Sequence, residues 1–126
     1  DDPPTLGFGS DICAELNTAD VRMQVFREHE FAIRDGDSVL KGAIDRLVVL
    51  YDGDRPVAAD VIDFKTDRID DTAEGNLQAK VDFYRPQIEA YRRTTSRLTG
   101  LDSSRISARL LFVGAGVVEL VANRDA

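Results

Sequence analysis

Three side chains near the middle of the chain are of types that could hold a divalent cation and act on a phosphate ester: the carboxylates of Asp45 and Asp63 and the amine of Lys65. Asp52-Gly53-Asp54 separates two apolar runs and predicts a hairpin. If the turn is centred on Asp54, paired residue numbers sum to about 108 and Asp45 faces Asp63. Directly opposed residues of an antiparallel pair have Cβ atoms roughly 4.5–5.5 Å apart, and like charges placed so are destabilising. Something must offset them. Side chains alternate along a strand, so Asp63 and Lys65 project from one face and Phe64 from the other. A cation with a preference for oxygen would neutralise the acid pair, and Mg²⁺ commonly uses one or two carboxylates together with phosphate and water. In phosphodiester hydrolysis such an ion polarises the phosphoryl oxygen and activates a water, while a nearby lysine orients that water or balances the added negative charge. Spacing alone favours a plainer account, an Asp-Lys-Asp ion-pair network on a strand surface, because charge runs are usually solvated.

The elements that must position these residues can be read from the hydrophobic period. A short helix is expected from the capping Ser10 to about Leu16, where Ile12, Cys13 and Leu16 share a face. Alternation from Val25 to Ile33 predicts a first strand, closed by the turn Asp35-Gly36-Asp37. A second strand covers about Val39 to Tyr51, and a third, after Pro56, about Val57 to Thr66. Residues 67 to 75, with Asp67, Asp70, Asp71 and Glu74, read as a solvated acidic loop. The period then changes: Leu77, Val81, Tyr84, Ile88, Tyr91 and Leu98 form the stripe of an amphipathic helix. Pro86 either kinks that helix or lies in the first turn of one that restarts near Tyr84. Gly100 closes it. Two last strands, about Ile106 to Val113 and Val117 to Val121, flank the hairpin turn Gly114-Ala115-Gly116. The order is helix, three strands, helix, two strands: an α/β chain of the α+β kind, a mixed sheet of about five strands flanked by helices in a single domain spanning 1–126.

At 126 residues and 43% hydrophobic composition the chain is sized for one core, and with no Trp its apolar area must come mainly from aliphatic side chains. A single cysteine, Cys13, cannot form an internal disulfide, and no signal-peptide pattern or long apolar run is present, which together predict no membrane partner and a cytoplasmic setting. The first nine residues, opening Asp1-Asp2-Pro3-Pro4, read as a linker end, and the chain as a piece of a larger protein. A net charge of -7, from 23 acids and 16 bases, argues against strong free-standing binding of nucleic acid. Either the domain does not touch nucleic acid, or its acids hold metal while a neighbouring domain delivers the strand.

Four segments carry a resemblance. Lys41-Gly42-Ala43-Ile44-Asp45-Arg46-Leu47 and Val61-Ile62-Asp63-Phe64-Lys65-Thr66-Asp67 look like the paired "G-x-[IV]-D-R-[LV]" and "[VI]-D-[FY]-K-T" signatures of the PD-(D/E)XK nuclease domain of RecB/AddA-type (UvrD-like) helicase–nucleases. Tyr84-Arg85-Pro86-Gln87-Ile88-Glu89-Ala90-Tyr91 is similar to that family's "Y-x-x-Q-[LI]-x-x-Y" helix, and Arg27-Glu28-His29-Glu30-Phe31 resembles its "R-E-x-x-F" strand. The four occur in the family's order over about residues 20 to 120. The resemblance implies a restriction-endonuclease-like core and a Mg²⁺- or Mn²⁺-dependent exonuclease acting in double-strand-break repair and recombination. Its partners would be DNA, as a single strand fed by an attached helicase, and a further subunit of the helicase–nuclease complex. Asp45, Asp63 and the Phe64 backbone carbonyl would be metal ligands and Lys65 the catalytic lysine. Gln87, Tyr91 and Tyr84 would support Lys65 or meet the strand, with Glu28 matching the family's strand glutamate.

Two departures qualify this. The family's additional histidine ligand comes from a helix well before the first strand, whereas His29 lies inside the strand motif and reads as a half-buried or surface residue. There is also no G-x-x-x-x-G-K-[ST] loop, so ATP would enter only through a helicase portion outside these residues. Two other readings stand beside the first: a stand-alone phage or CRISPR-associated exonuclease, and a catalytically inactive nuclease fold serving as a strand-binding or protein-docking scaffold.

Overall fold

A computed structural model describes residues 21–121, so the helix expected at Ser10–Leu16 and the opening linker lie outside the described residues. Two tight hairpins come first. Strand β1 (Val21–Asp35) pairs antiparallel with β2 (Ser38–Asp52), and β2 with β3 (Arg55–Lys65). Their turns each leave two residues between strands, Gly36-Asp37 and Gly53-Asp54, with glycine φ values of 63° and 64°. Those are left-handed conformations that glycine adopts without steric cost. All three strands begin earlier than the alternation predicts, β1 at Val21 and β3 at Arg55, so that Pro56 falls inside a strand. It is accommodated because the register shifts between Leu50 and Tyr51, and Pro56 lies opposite Tyr51 at that irregularity. A residue without an N–H is tolerated where the ladder is already broken.

Helix α1 (Leu77–Thr99) then crosses to β4 (Ile106–Phe112) through a short 3₁₀ turn at Ser103–Arg105. β4 runs parallel to β3 in the sheet, and β5 (Val117–Leu120) returns antiparallel to β4. Spatial order follows chain order, β1-β2-β3-β4-β5. The described residues thus form an α+β fold with a five-stranded mixed sheet and one α-helix. Asn76 caps the helix, its side chain accepting from the Ala79 N–H at 2.9 Å, and Gly100 ends it at φ 75° with its N–H on the Ser96 carbonyl. The helix runs unbroken through Pro86 from Leu77, so it does not restart near Tyr84 and the proline is interior. The proline lacks the N–H that would meet the Asp82 carbonyl, and both residues are exposed, so water can serve that oxygen.

The main core lies between helix and sheet. Val81, Ile88 and Tyr91 of α1 pack on Leu47, Val49, Ala59, Val61, Ala108 and Leu110. Such burial is what holds a helix of this length in place, at about 1.5–3 kcal/mol for each large aliphatic side chain removed from water. A smaller cluster of Val48, Leu50, Val57 and Ala58, with Val21 and Met23, occupies the other face of the sheet. No helix among the described residues is long and apolar enough to cross a membrane.

Candidate functional site

The register of the second hairpin decides which side chains meet. Pairs run from Leu50↔Ala58 to Arg46↔Ile62, the register a hairpin centred on Asp54 requires, so Asp45 and Asp63 occupy the next step beyond the last pair. There the ladder stops. The Phe64 N–H donates instead to Asp45 Oδ2 at 2.7 Å, a carboxylate taking the place of a backbone carbonyl. On the other side of β2 the ladder skips the same step: Arg27 pairs with Arg46 and His29 with Ile44, leaving Glu28 and Asp45 outside it. Glu28 has φ 51° and is the one non-glycine residue with positive φ among those described. That conformation is strained for a glutamate.

Asp63 is buried, 4% exposed, at the C-terminal end of β3. Its pKa is pushed up to about 6, first by burial and next by the hydrogen-bonding contact with the Asp45 carboxyl, while Lys65 pulls the other way. Lys65 Nζ stands 2.9 Å from Asp63 Oδ2. The contact is a charge pairing without hydrogen-bond alignment, for Asp63 Oδ2 is buried with no hydrogen-bond partner. Lys65 is held from the helix side as well. Its ammonium donates to Gln87 Oε1 at 2.7 Å and lies 4.1 Å from the centre of the Tyr84 ring. Tyr91 completes the wall against Phe31, with ring centres 5.8 Å apart and edge to face. Burial raises its phenol pKa, and the nearby charges of Asp63 and Asp45 raise it further, against a hydrogen bond from Gln87. Asp45, Asp63, Lys65, Gln87, Tyr84 and Tyr91 are therefore brought to one place, where β2, β3 and α1 meet.

Helical spacing explains the wall. Tyr84, Gln87 and Tyr91 follow one another at steps of three and four, so one stripe of α1 faces the end of β3. Lys80, one turn before Tyr84, extends it; residues 67 to 75 form the irregular, largely exposed loop expected there, and Asp67 alone of its acids turns in to the helix. Asp67 accepts from the Tyr84 hydroxyl at 2.7 and 2.9 Å and pairs with Lys80 Nζ at 3.1 Å. The Tyr84 hydrogen bond, ahead of Lys80, holds the Asp67 carboxyl below its usual range. The Tyr84 phenol in turn is pushed up to about 12, by burial first and then by Asp67. Asp70 ties the next turn through the Thr72 backbone N–H at 2.9 Å, and the Asp70 N–H donates to the Gly75 carbonyl at 2.8 Å. Asp67 could have been suspected from sequence, since it continues the alternation of Asp63 and Lys65.

Glu28 is exposed on β1 and joins no cluster. Among the described residues no group of three His, Cys, Asp or Glu could hold an ion. The carboxylate pair therefore stands without a third acidic or imidazole donor there, and His29 rests half-buried with its ring 5.1 Å from that of Phe26. On the opposite face of the sheet a second polar cluster went unforeseen: buried Asp60 accepts from the Ser107 hydroxyl at 2.7 Å and from Arg109. Burial outweighs those partners and raises the Asp60 pKa to about 6. In α1, buried Arg92 pairs with Glu89 and donates to the Val121 carbonyl at 2.6 Å. Both are structural ties between elements distant in sequence.

Two hard carboxylate oxygens converging beside an ammonium suit a divalent cation with a preference for oxygen. Asp63 Oδ2 offers a buried oxygen whose near neighbour is the Lys65 ammonium at 2.9 Å, and the chemistry of the donor set fits Mg²⁺ or Mn²⁺ better than softer metals. No protein-family model matches the chain, and no curated protein matches it at a significant level.

Proposed function

We propose that the chain is the cutting domain of a metal-dependent deoxyribonuclease with a restriction-endonuclease-like core, of the PD-(D/E)XK kind found in RecB/AddA-type helicase–nucleases. The observation that carries this reading is the meeting of Asp45 and Asp63 at the open end of the β2–β3 ladder, with Lys65 at 2.9 Å from the second carboxylate. Asp45 and Asp63 would hold the cation, with the Phe64 carbonyl as the third ligand that the resemblance implies. When bound, the cation supplies Lewis-acid polarisation of the phosphoryl oxygen and lowers the pKa of the attacking water. Lys65, fixed by Gln87 and by the face of Tyr84, presents its ammonium where negative charge grows on the phosphorane-like transition state. Its preorganisation matters because a lysine free to rotate would lose side-chain entropy as it was ordered. Burial of Asp63 keeps bulk water from screening this charge arrangement.

The acidic chain favours a division of labour in which an attached motor binds and feeds the strand and this domain makes the cut. Labelled DNA incubated with Mn²⁺ should be cut by the parent chain, with at least a hundredfold loss in Asp63→Ala. Calorimetric titration should show Mn²⁺ binding that the same substitution removes. Cleavage unaffected by the substitution, or the absence of both cleavage and Mn²⁺ binding, would overturn the proposal. Mn²⁺ binding without cleavage would point to the scaffold reading instead.

A further inference from the structure

Phe83 is 75% exposed, the most exposed large hydrophobic side chain among the described residues, and the one aromatic in that group. A single exposed apolar residue needs no explanation by itself. Its position does. Phe83 lies three residues after Lys80 and four before Gln87, so on α1 it borders the stripe that supplies Lys80, Tyr84 and Gln87 to the site. Its ring meets that of Tyr84 edge to face, centres 5.0 Å apart. The Tyr84 ring centre is 4.1 Å from Lys65 Nζ, and that ammonium is 2.9 Å from Asp63. Three consecutive contacts thus lead from an open aromatic face to the buried carboxylate. The Tyr84 hydroxyl is fastened to Asp67, so the ring that Phe83 meets is itself held in place, while Phe83 stays largely open to solvent.

Resting on the hydrolase reading above, we infer that Phe83 is a stacking platform for an unpaired nucleobase and gives the site its preference for single-stranded over duplex DNA. Every base offers a π-face to an aromatic ring, so stacking is tolerant of sequence, but a base within a duplex has both faces covered by its neighbours and cannot use the platform without unstacking. A chain of net charge -7 gains little from phosphate attraction, which leaves stacking as the contact that can hold a strand beside the carboxylates.

The chain contains no tryptophan, so Phe83→Trp introduces a unique fluorophore at the platform. In Ca²⁺ buffer, and again combined with Asp63→Asn to silence cutting, its emission should be quenched by oligothymidylate. A hairpin duplex with the same number of phosphates should quench it at least fivefold less effectively. Phe83→Ala should lower kcat/KM on single strands with Mn²⁺ by about 5- to 150-fold, Phe83→Tyr should retain it, and duplex cutting should change little. No quenching up to millimolar oligothymidylate, or equal quenching by both forms, overturns the inference, as does a Phe83→Ala variant that keeps parental activity on single strands. Quenching by single strands in a chain that cuts nothing would leave the platform standing and remove the hydrolase reading. Circular dichroism of the variants should match the parent, since Phe83 contributes little to the core.

Discussion

Asp63→Asn should stabilise the metal-free protein at neutral and alkaline pH, because the carboxylate that serves the site works against the fold. In the folded chain its pKa is raised from 3.8 to about 6. At one pKa unit per 1.36 kcal/mol, keeping Asp63 ionised costs up to about 3 kcal/mol, and at 4% exposure solvent screening does little to reduce it. The folded pKa lies above the unfolded one, so the folded state binds the proton more tightly. Stability is therefore full below about pH 4 and falls as pH rises through about 6. Asparagine cannot ionise and escapes that fall. Asp60 titrates in the same window but is present in both proteins, so the difference between their curves isolates Asp63. Thermal melts with a chelator should show the two alike near pH 4, with the variant higher by on the order of 10 °C at pH 8. Millimolar Mn²⁺ should raise the parent and leave the variant nearly unmoved, since a ligand of the folded state stabilises according to its affinity. A variant melting below the parent at pH 8, or a gap that does not change with pH, would refute the reasoning.

Two other perturbations test the supports. Gln87→Ala removes the acceptor 2.7 Å from Lys65 Nζ, so kcat with Mn²⁺ should fall about tenfold while the melting temperature moves by less than a few degrees, Gln87 being exposed. A large loss of stability with unchanged kcat would assign Gln87 to the fold. Arg109→Met strips the buried Asp60 of its cation and should cost about 3–5 kcal/mol at pH 8, read by urea titration. Near pH 5 the cost should shrink, because the Asp60 pKa of about 6 lets it take a proton and become neutral.

How far sequence could lead depended on the range of each interaction. Asp52-Gly53-Asp54 marks the second hairpin locally, and counting from a centre at Asp54 gives the register that opposes Asp45 and Asp63, although the turn itself is Gly53-Asp54 and the shift at Leu50 and Tyr51 supplies the extra residue that this register needs. The stripe of Tyr84, Gln87 and Tyr91 was legible for the same reason, since helical spacing is a local property. What counting could not reach was the departure from regular geometry: the shift at Leu50 and Tyr51 that admits Pro56, and the left-handed Glu28. The shift lies beside a turn whose exact length the sequence leaves open, and no glycine marks position 28. The Asp60–Arg109 pair was hidden for another reason. It spans parallel strands joined through α1, and the register of such a crossover is set by packing of the whole helix on the sheet. Asp67 was misjudged because an acidic run reads as solvated until the tyrosine and lysine that face it are known.

The placement of the carboxylate pair follows from its electrostatics. Two carboxylates set directly opposite within a continuing ladder would repel each other with their backbones held rigid. Here both neighbouring ladders give way at that step: β2–β3 pairing ends at Arg46↔Ile62, and β1–β2 pairing omits Glu28 and Asp45. Freed from the ladder, Asp45 turns a carboxylate oxygen to the Phe64 N–H and meets a need the sheet has left unmet. Asp63 remains the less compensated partner, its pKa raised by burial and by the Asp45 carboxyl more than the ammonium of Lys65 lowers it. A sheet selected for stability alone would close this gap with apolar side chains, as it does two steps away at Leu47 and Val61. Retaining two acids and a lysine there makes sense if the missing positive charge arrives from outside the chain.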